Sequence, residues 1–260
     1  MDVLERTTNG GEVTELSQGT WRLSIPQGPA SVYRWAQLDD YMHLSRKNFL
    51  WQTPPERDPL VLEVDARVSD PEIPGTWGFG FWNDPFNAGM SIAGTARRLP
   101  MLPNAAWYFY ASPPNHLALH DHPGDGMLAA TFSSPRIPPL LLGLGLPAVP
   151  LLAIRPTARL LMGVARKVIR DDAVRLDVDL TVWHHYELRC EQERVIFRMD
   201  EQEIFSTTAA PRGRLGLVAW IDNQYAAVRP NGTFGYGVLA NPKPVWMEMK
   251  ALSVLQAKQS

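Results

Sequence analysis

The chain has 260 residues, 45% of them hydrophobic, enough to bury a sizeable core, and its formal net charge is −2 with a pI near 6.3. That balance supplies no basic field for a nucleic-acid partner, which is excluded on these grounds. The 23 prolines argue against long helices, and the single cysteine, Cys190, excludes an internal disulfide.

The chain opens on Met1-Asp2-Val3-Leu4-Glu5-Arg6, which is polar and lacks the apolar run of a secretory leader. With one cysteine, this leads to the expectation of a reducing, cytoplasmic location. From Leu60 to Val68, the residues Leu60, Leu62, Val64, Ala66 and Val68 share one face, and Glu63, Asp65 and Arg67 the other, as a half-buried strand requires. The segment Gly75 to Trp82 places Trp77, Phe79 and Phe81 on one face. The segment Ala105 to Tyr110 places Trp107 and Phe109 on one face, with Tyr108 and Tyr110 opposite. Side by side in a sheet, these rings would form an aromatic wall suited to a sugar, a polycyclic product or an acyl chain. The competing reading is core packing, because one face of each strand must be buried.

Polar groups end these strands. Asn83-Asp84 follows the first, and Asp222-Asn223-Gln224-Tyr225 follows the apolar strand from Leu215 that passes through Trp220. Asp84 and Asp222 are the candidate catalytic carboxyls, and Asn223, Gln224 and Tyr225 the candidate orienting groups. Ordinary turn chemistry would also place Asx residues there. His116, His120 and His122 alternate, but no distant ligand pair accompanies them, so no metal and no cofactor are expected. His116 and His120 are read as a polar rim of the ligand site.

Ile137 to Ile154 is nearly all apolar and carries Pro138, Pro139, Pro147 and Pro150, too interrupted for a membrane-spanning helix. Thr157 to Arg170 has helical spacing, with Leu160, Leu161, Val164 and Val168 apolar and Arg159, Arg166, Lys167 and Arg170 basic. Residues 137–170 are read as a lid on their own sandwich, as a homodimer contact or as a membrane-surface element. Further strands are expected at Arg194 to Asp200, Leu215 to Ile221 and Val245 to Leu255. Pro113-Pro114-Asn115, Pro211-Arg212-Gly213 and Asn241-Pro242 mark turns. Asn231-Gly232-Thr233 matches a glycosylation sequon, which a cytoplasmic protein would not use.

The order Trp183-His184-His185-Tyr186-Glu187-Leu188, then Val195 to Asp200, then the Pro211 turn and the strand Leu215 to Trp220 resembles the concanavalin A-like jelly rolls, including laminarinase-like glycoside hydrolases. Gly75 to Trp82 is similar to the strand those proteins place near the middle of the concave sheet. The similarity covers about Leu60 to Leu255 and omits the insertion from Pro135 to Asp172. It departs from the family at Glu201, where the pattern has Gly. The resemblance implies one all-β antiparallel sandwich over residues 1–260, with residues 135–172 inserted.

The hydrolases of that family carry an E-x-D-x-x-E strand, because retaining chemistry needs two carboxyls about 5–5.5 Å apart. Here the nearest match, Glu63-Val64-Asp65, has Val68 at the third position and precedes Trp77, and Ala105 to Tyr110 holds no acid. Hydrolysis by that motif is therefore not expected. The expected function is binding of a glycan or hydrophobic small molecule on the concave face. The alternatives are a cyclase or isomerase using the same pocket, and lipid interaction through residues 137–170.

Overall fold

The structure is a computed structural model, and it describes residues 4–54, 58–85, 101–137, 155–228 and 234–256. Two large sheets form its layers. The first runs, in spatial order, β1 (Glu5–Asn9), β4 (Trp35–Asp39), β15 (Arg214–Asp222), β7 (Thr76–Trp82), β8 (Ala105–Ala111), β10 (Gly126–Ser133) and β11 (Arg170–Arg175), with β5 (Trp51–Gln52) on the start of β15. The second runs β14 (Gln202–Thr207), β13 (Val195–Met199), β12 (His184–Cys190), β6 (Leu60–Val68), β18 (Val245–Leu255), β3 (Thr20–Ile25) and β2 (Glu12–Ser17). Every pairing within these two sheets is antiparallel, and the arrangement is an all-β antiparallel sandwich, the fold class that the resemblance implies. A third, small sheet joins β17 (Phe234–Val238), β16 (Gln224–Val228) and β9 (His116–Leu117), the last pair parallel.

Burial follows sequence parity. Along β6, Leu60, Leu62, Val64, Ala66 and Val68 are buried and the residues between them are half-buried, because a central strand of a two-layer sandwich presents one face inward. They meet Tyr186, Leu188, Phe197, Leu217 and Met249 between the sheets. Cys190 ends β12 in this core at 1% exposure, and burial pushes its thiol up to about 12, so it stays protonated and shielded.

At Asp200-Glu201 the turn between β13 and β14 places both residues in the left-handed region, with φ of 50° and 68°. A glycine would hold this conformation without strain. Here the Asp200 carboxylate clamps the turn, accepting from His184 Nδ1 at 2.6 Å and from the His185 amide at 2.9 Å. His185 in turn pairs with Asp65 at 2.8 Å.

The solvent side of the second sheet is organised around one buried acid. Glu248 accepts from Arg22 Nε at 2.9 Å and from Arg67 Nε at 2.8 Å. These guanidiniums lie over Trp246 at 4.8 and 5.5 Å, and Arg67 also lies 4.7 Å from Trp183.

Most of the apolar stretch, residues 138–154, lies outside the described residues, as does the sequon. The expected helix is present as α1 (Arg155–Val168), displaced toward the N-terminus relative to Thr157 to Arg170. It stops there because Arg170 enters β11 and pairs with Ser133 of β10, so sheet hydrogen bonds replace helical ones. Leu160 and Val164 are exposed, at 69% and 54%. Among the described residues, no helix is long and apolar enough to cross a membrane.

Candidate functional site

The sequence Trp77-Gly78-Phe79-Gly80-Phe81-Trp82 alternates bulk with glycine, and the register of β7 decides where the bulk goes. Trp77 pairs with Tyr110 and Phe79 with Tyr108. The rings of β7 thus share a face with the tyrosines of β8, opposite Trp107 and Phe109. Trp77, Phe79 and Phe81 are 1%, 1% and 0% exposed, sealed between the layers. The expected single wall of five rings is therefore corrected: these three form core. Trp77 stacks on Tyr110 at 5.7 Å, and Phe79 meets Tyr186 edge-on at 5.2 Å. The Tyr108 hydroxyl crosses the core and donates to the Arg198 carbonyl at 2.6 Å.

The outer face of the same sheet carries a different aromatic cluster: Trp82, Trp107, Phe109 and Trp220. Trp82 and Trp220 are near-parallel at 6.5 Å, Trp107 lies 5.5 Å from Trp220, and Phe109 stacks on Trp220 at 5.7 Å. Gly78 and Gly80 supply the floor. A Cβ on Gly78 would stand 2.9 Å from Trp220 Cη2. Trp107 and Phe109 are buried, whereas Trp82, Trp220 and neighbouring Phe132 are half-buried. Trp107 Nε1 is buried without a hydrogen-bond partner among the described residues.

Asp222 closes one end of this cluster. Its Oδ1 accepts from the Thr76 hydroxyl at 2.8 Å, the Thr76 amide at 3.2 Å and the Gln224 amide at 3.1 Å. Oδ2 lies 3.4 Å from the Tyr33 hydroxyl, which donates to it. Thr76 also accepts from Trp220 Nε1 at 2.9 Å, so carboxyl and aromatic cluster form one network. Burial, opposed only in part by these bonds, pushes the Asp222 carboxyl up to about 6. Burial, with Asp222 beside it, also raises the Tyr33 hydroxyl above its ordinary range.

The other candidates separate. Asn223 is fully buried, accepting from the Arg34 amide and donating to the Val32 and Leu239 carbonyls at 2.8, 3.0 and 2.8 Å. It is a structural clip, which corrects its reading as a ligand contact. Gln224 and Tyr225 lie in β16, where Tyr225 packs closely over Gly237. His116 is half-buried beside Gly124 in β9. Asp84 lies at the far end of β7: Thr76 pairs with Asp222, and Asp84 follows eight residues later, roughly 26 Å along an extended chain. The two candidate carboxyls therefore do not share a site. Asp84 is buried at φ 49°, and its carbonyl accepts from Arg46 Nη2 at 2.6 Å.

Sequence reasoning missed two groups. Asp39 lies on the same outer face, accepting from the Met42 amide at 2.7 Å and from Gln37 Nε2 at 2.9 Å. Its neighbour Asp40 accepts from the Leu217 amide at 2.9 Å, and burial pushes it up to about 7. The signal available was an acidic doublet closing the strand Trp35–Asp39. Asp39 pairs with Val218, four residues from Asp222, which separates the two carboxyls by roughly 13 Å along the strand. That exceeds the roughly 5–9.5 Å of glycosidase pairs.

The second group gathers across the edge of the sheet. Asp171, on β11, accepts from His122 Nε2 and the Leu119 amide at 2.9 and 2.7 Å, and it also bonds His120 Nδ1. His122 Nδ1 meets the Pro123 carbonyl at 2.9 Å, so both ring nitrogens face acceptors, which outweighs burial and raises the imidazole above its ordinary value. His120 thus lies at this edge, paired to Asp171, with its imidazole partly exposed. Among the described residues no group suited to a metal ion is present.

No family model matches the sequence, and no curated protein matches it. Among solved structures, the chain is similar to the family 7 alginate lyase A1-II', at 10% identity over 96% of this chain and 85% of that one, with a TM-score of 0.45. It is similar to a laminarinase from Flavobacterium sp. UMI-01, at 9% identity over 96% and 82%, with a TM-score of 0.43. It is also similar to a functionally unknown protein from Saccharomyces cerevisiae, at 6% identity over 99% and 98%, with a TM-score of 0.41. The likeness goes no further than the sandwich already described.

Proposed function

We propose that the chain binds a glycan or a compact hydrophobic molecule on the outer face of its first sheet, without paired-carboxylate hydrolysis. One observation carries this reading: Trp82, Trp107, Phe109 and Trp220 pack together on the outside of the sandwich, over a glycine floor, with Trp82 and Trp220 partly open. A core needs no second aromatic layer on its solvent side, whereas a stacked sugar face or fused ring does. The test is tryptophan-fluorescence titration against a panel of neutral oligosaccharides and of apolar ring compounds, repeated with Trp220→Ala. Binding by one panel, weakened at least about tenfold in the variant with little change in melting temperature, supports the reading. Silence from both panels, or unchanged affinity in the variant, removes it.

A cyclase or isomerase is the second reading, favoured by Asp222, whose raised carboxyl is joined through Thr76 to Trp220. A carboxyl near 6 can exchange a proton at neutral pH. Asp222→Asn would then keep ligand affinity and lose turnover. Lipid contact rests on Leu160 and Val164, exposed on a helix rich in basic residues, and liposome flotation of a Leu160→Ser/Val164→Ser variant tests it.

A further inference from the structure

Where β10 ends and β15 begins, an open cleft of about 700 Å³ is lined by Arg136, Arg170 and Arg212, with Glu193 the one acid among its described lining residues. The arginines are carried on anchored backbone. Arg170 lies on β11, and its Nη2 donates to the Thr208 hydroxyl at 2.9 Å. The Arg212 amide donates to Asn104 Oδ1 at 2.8 Å, and the next residue, Gly213, donates to Thr53 Oγ1 at 2.8 Å. Gly213 has φ +94°, and a Cβ there would stand 3.3 Å from Arg136 Nε, so the glycine lets that guanidinium lie against the wall. A smaller depression of about 250 Å³ shares Arg170 and Thr208 and is lined further on by His120, Asp171 and Asp172, the last accepting from the Thr207 hydroxyl at 2.6 Å.

Among the described lining residues three arginines accompany one carboxylate, Glu193, in a chain whose overall charge is −2. Guanidinium forks match the oxygens of carboxylate and phosphate groups, and the volume falls in the range of small-ligand sites, about 300–1,000 Å³. We infer that this cleft binds a small ligand bearing two or more anionic groups, carboxylate or phosphate, at a place separate from the aromatic face.

The experiment is calorimetric titration of the full chain with citrate and with pyrophosphate, using glucose as the neutral control. Binding of either anion, weakening with added salt, is expected; citrate alone marks a carboxylate site and pyrophosphate alone a phosphate site. Arg170→Gln and Arg212→Gln should each weaken it about tenfold, the effect of one charge-assisted hydrogen bond. Glu193→Gln should strengthen it. Trp220→Ala should leave it unchanged, so this site and the aromatic one fail independently. No binding of either anion, or affinities indifferent to all three cleft variants, overturns the inference.

Discussion

Gly80 lies opposite Trp107 in the β7–β8 ladder, and a Cβ on Gly80 would stand 2.6 Å from the Trp107 Cα and Cβ. The same Cβ would press to 2.4 Å from the Ala106 carbonyl, a backbone atom that cannot swing aside. Gly80→Ala should therefore destabilise the fold by about 1–3 kcal/mol, the usual range for overpacking, and lift Trp107 from its seat. Urea denaturation measures the first effect and tryptophan fluorescence the second. A variant as stable as the parent would show that the floor is not tight.

Phe81→Ala and Trp220→Ala should behave oppositely. Phe81 is fully buried between the sheets, so truncation should cost about 3–5 kcal/mol. Trp220 is half-buried on the outer face, and its removal should cost less stability and more ligand affinity. Chemical denaturation of the two variants side by side decides this, and equal losses would place both rings in one kind of environment.

Glu248→Gln should loosen the solvent side of the second sheet. The carboxylate is buried, while Arg22 and Arg67 keep their heads partly in water, which limits the loss to roughly 1–3 kcal/mol. Because the ion pairs are partly exposed, the difference between variant and parent should shrink as salt is added. A salt-independent difference would point to packing instead of charge.

Stability should be greatest in mildly acidic solution. Burial pushes Asp222 up to about 6 and Asp40 up to about 7. Such groups hold more protons folded than unfolded, so their contribution falls as pH rises from about 4 through those values, by roughly 1.4 kcal/mol for every tenfold difference in proton affinity between the two states. Burial alone would lower His122, but its bonds to Asp171 and the Pro123 carbonyl outweigh this and raise it. Its contribution is full below about 6.5 and is lost as pH rises through the folded value. Asp171 works from the other side: bonds to His122 and His120 overcome its burial and lower it, so its contribution disappears in strong acid. Unfolding free energy should thus peak at about pH 4–5. Asp222→Asn should flatten the decline between about 4 and 6. Thermal or urea melts across this range check it, and a stability that climbs from about pH 5 to 8 would contradict the linkage.

Strands whose parity is set by their own residues were legible, β6 above all, because burial there follows a period of two without outside help. The sandwich followed from the same patterns. The face of each aromatic set was not legible. It depends on how β7 registers with β8, and Trp77 opposite Tyr110 is a tertiary fact that neither strand encodes alone. Asp171 with His120 and His122 was hidden for a similar reason: the partners are 51 and 49 residues apart and meet only when β11 closes the sheet edge. Asn223 looked like a ligand group because a polar residue after a strand has the same sequence signature whether it faces solvent or clips the backbone.

Cys190, shielded in the core, gives the molecule a built-in clock. An alkylating probe cannot reach the sulfur while the layers stay together, so its rate of capture reports how often they part around the end of β12.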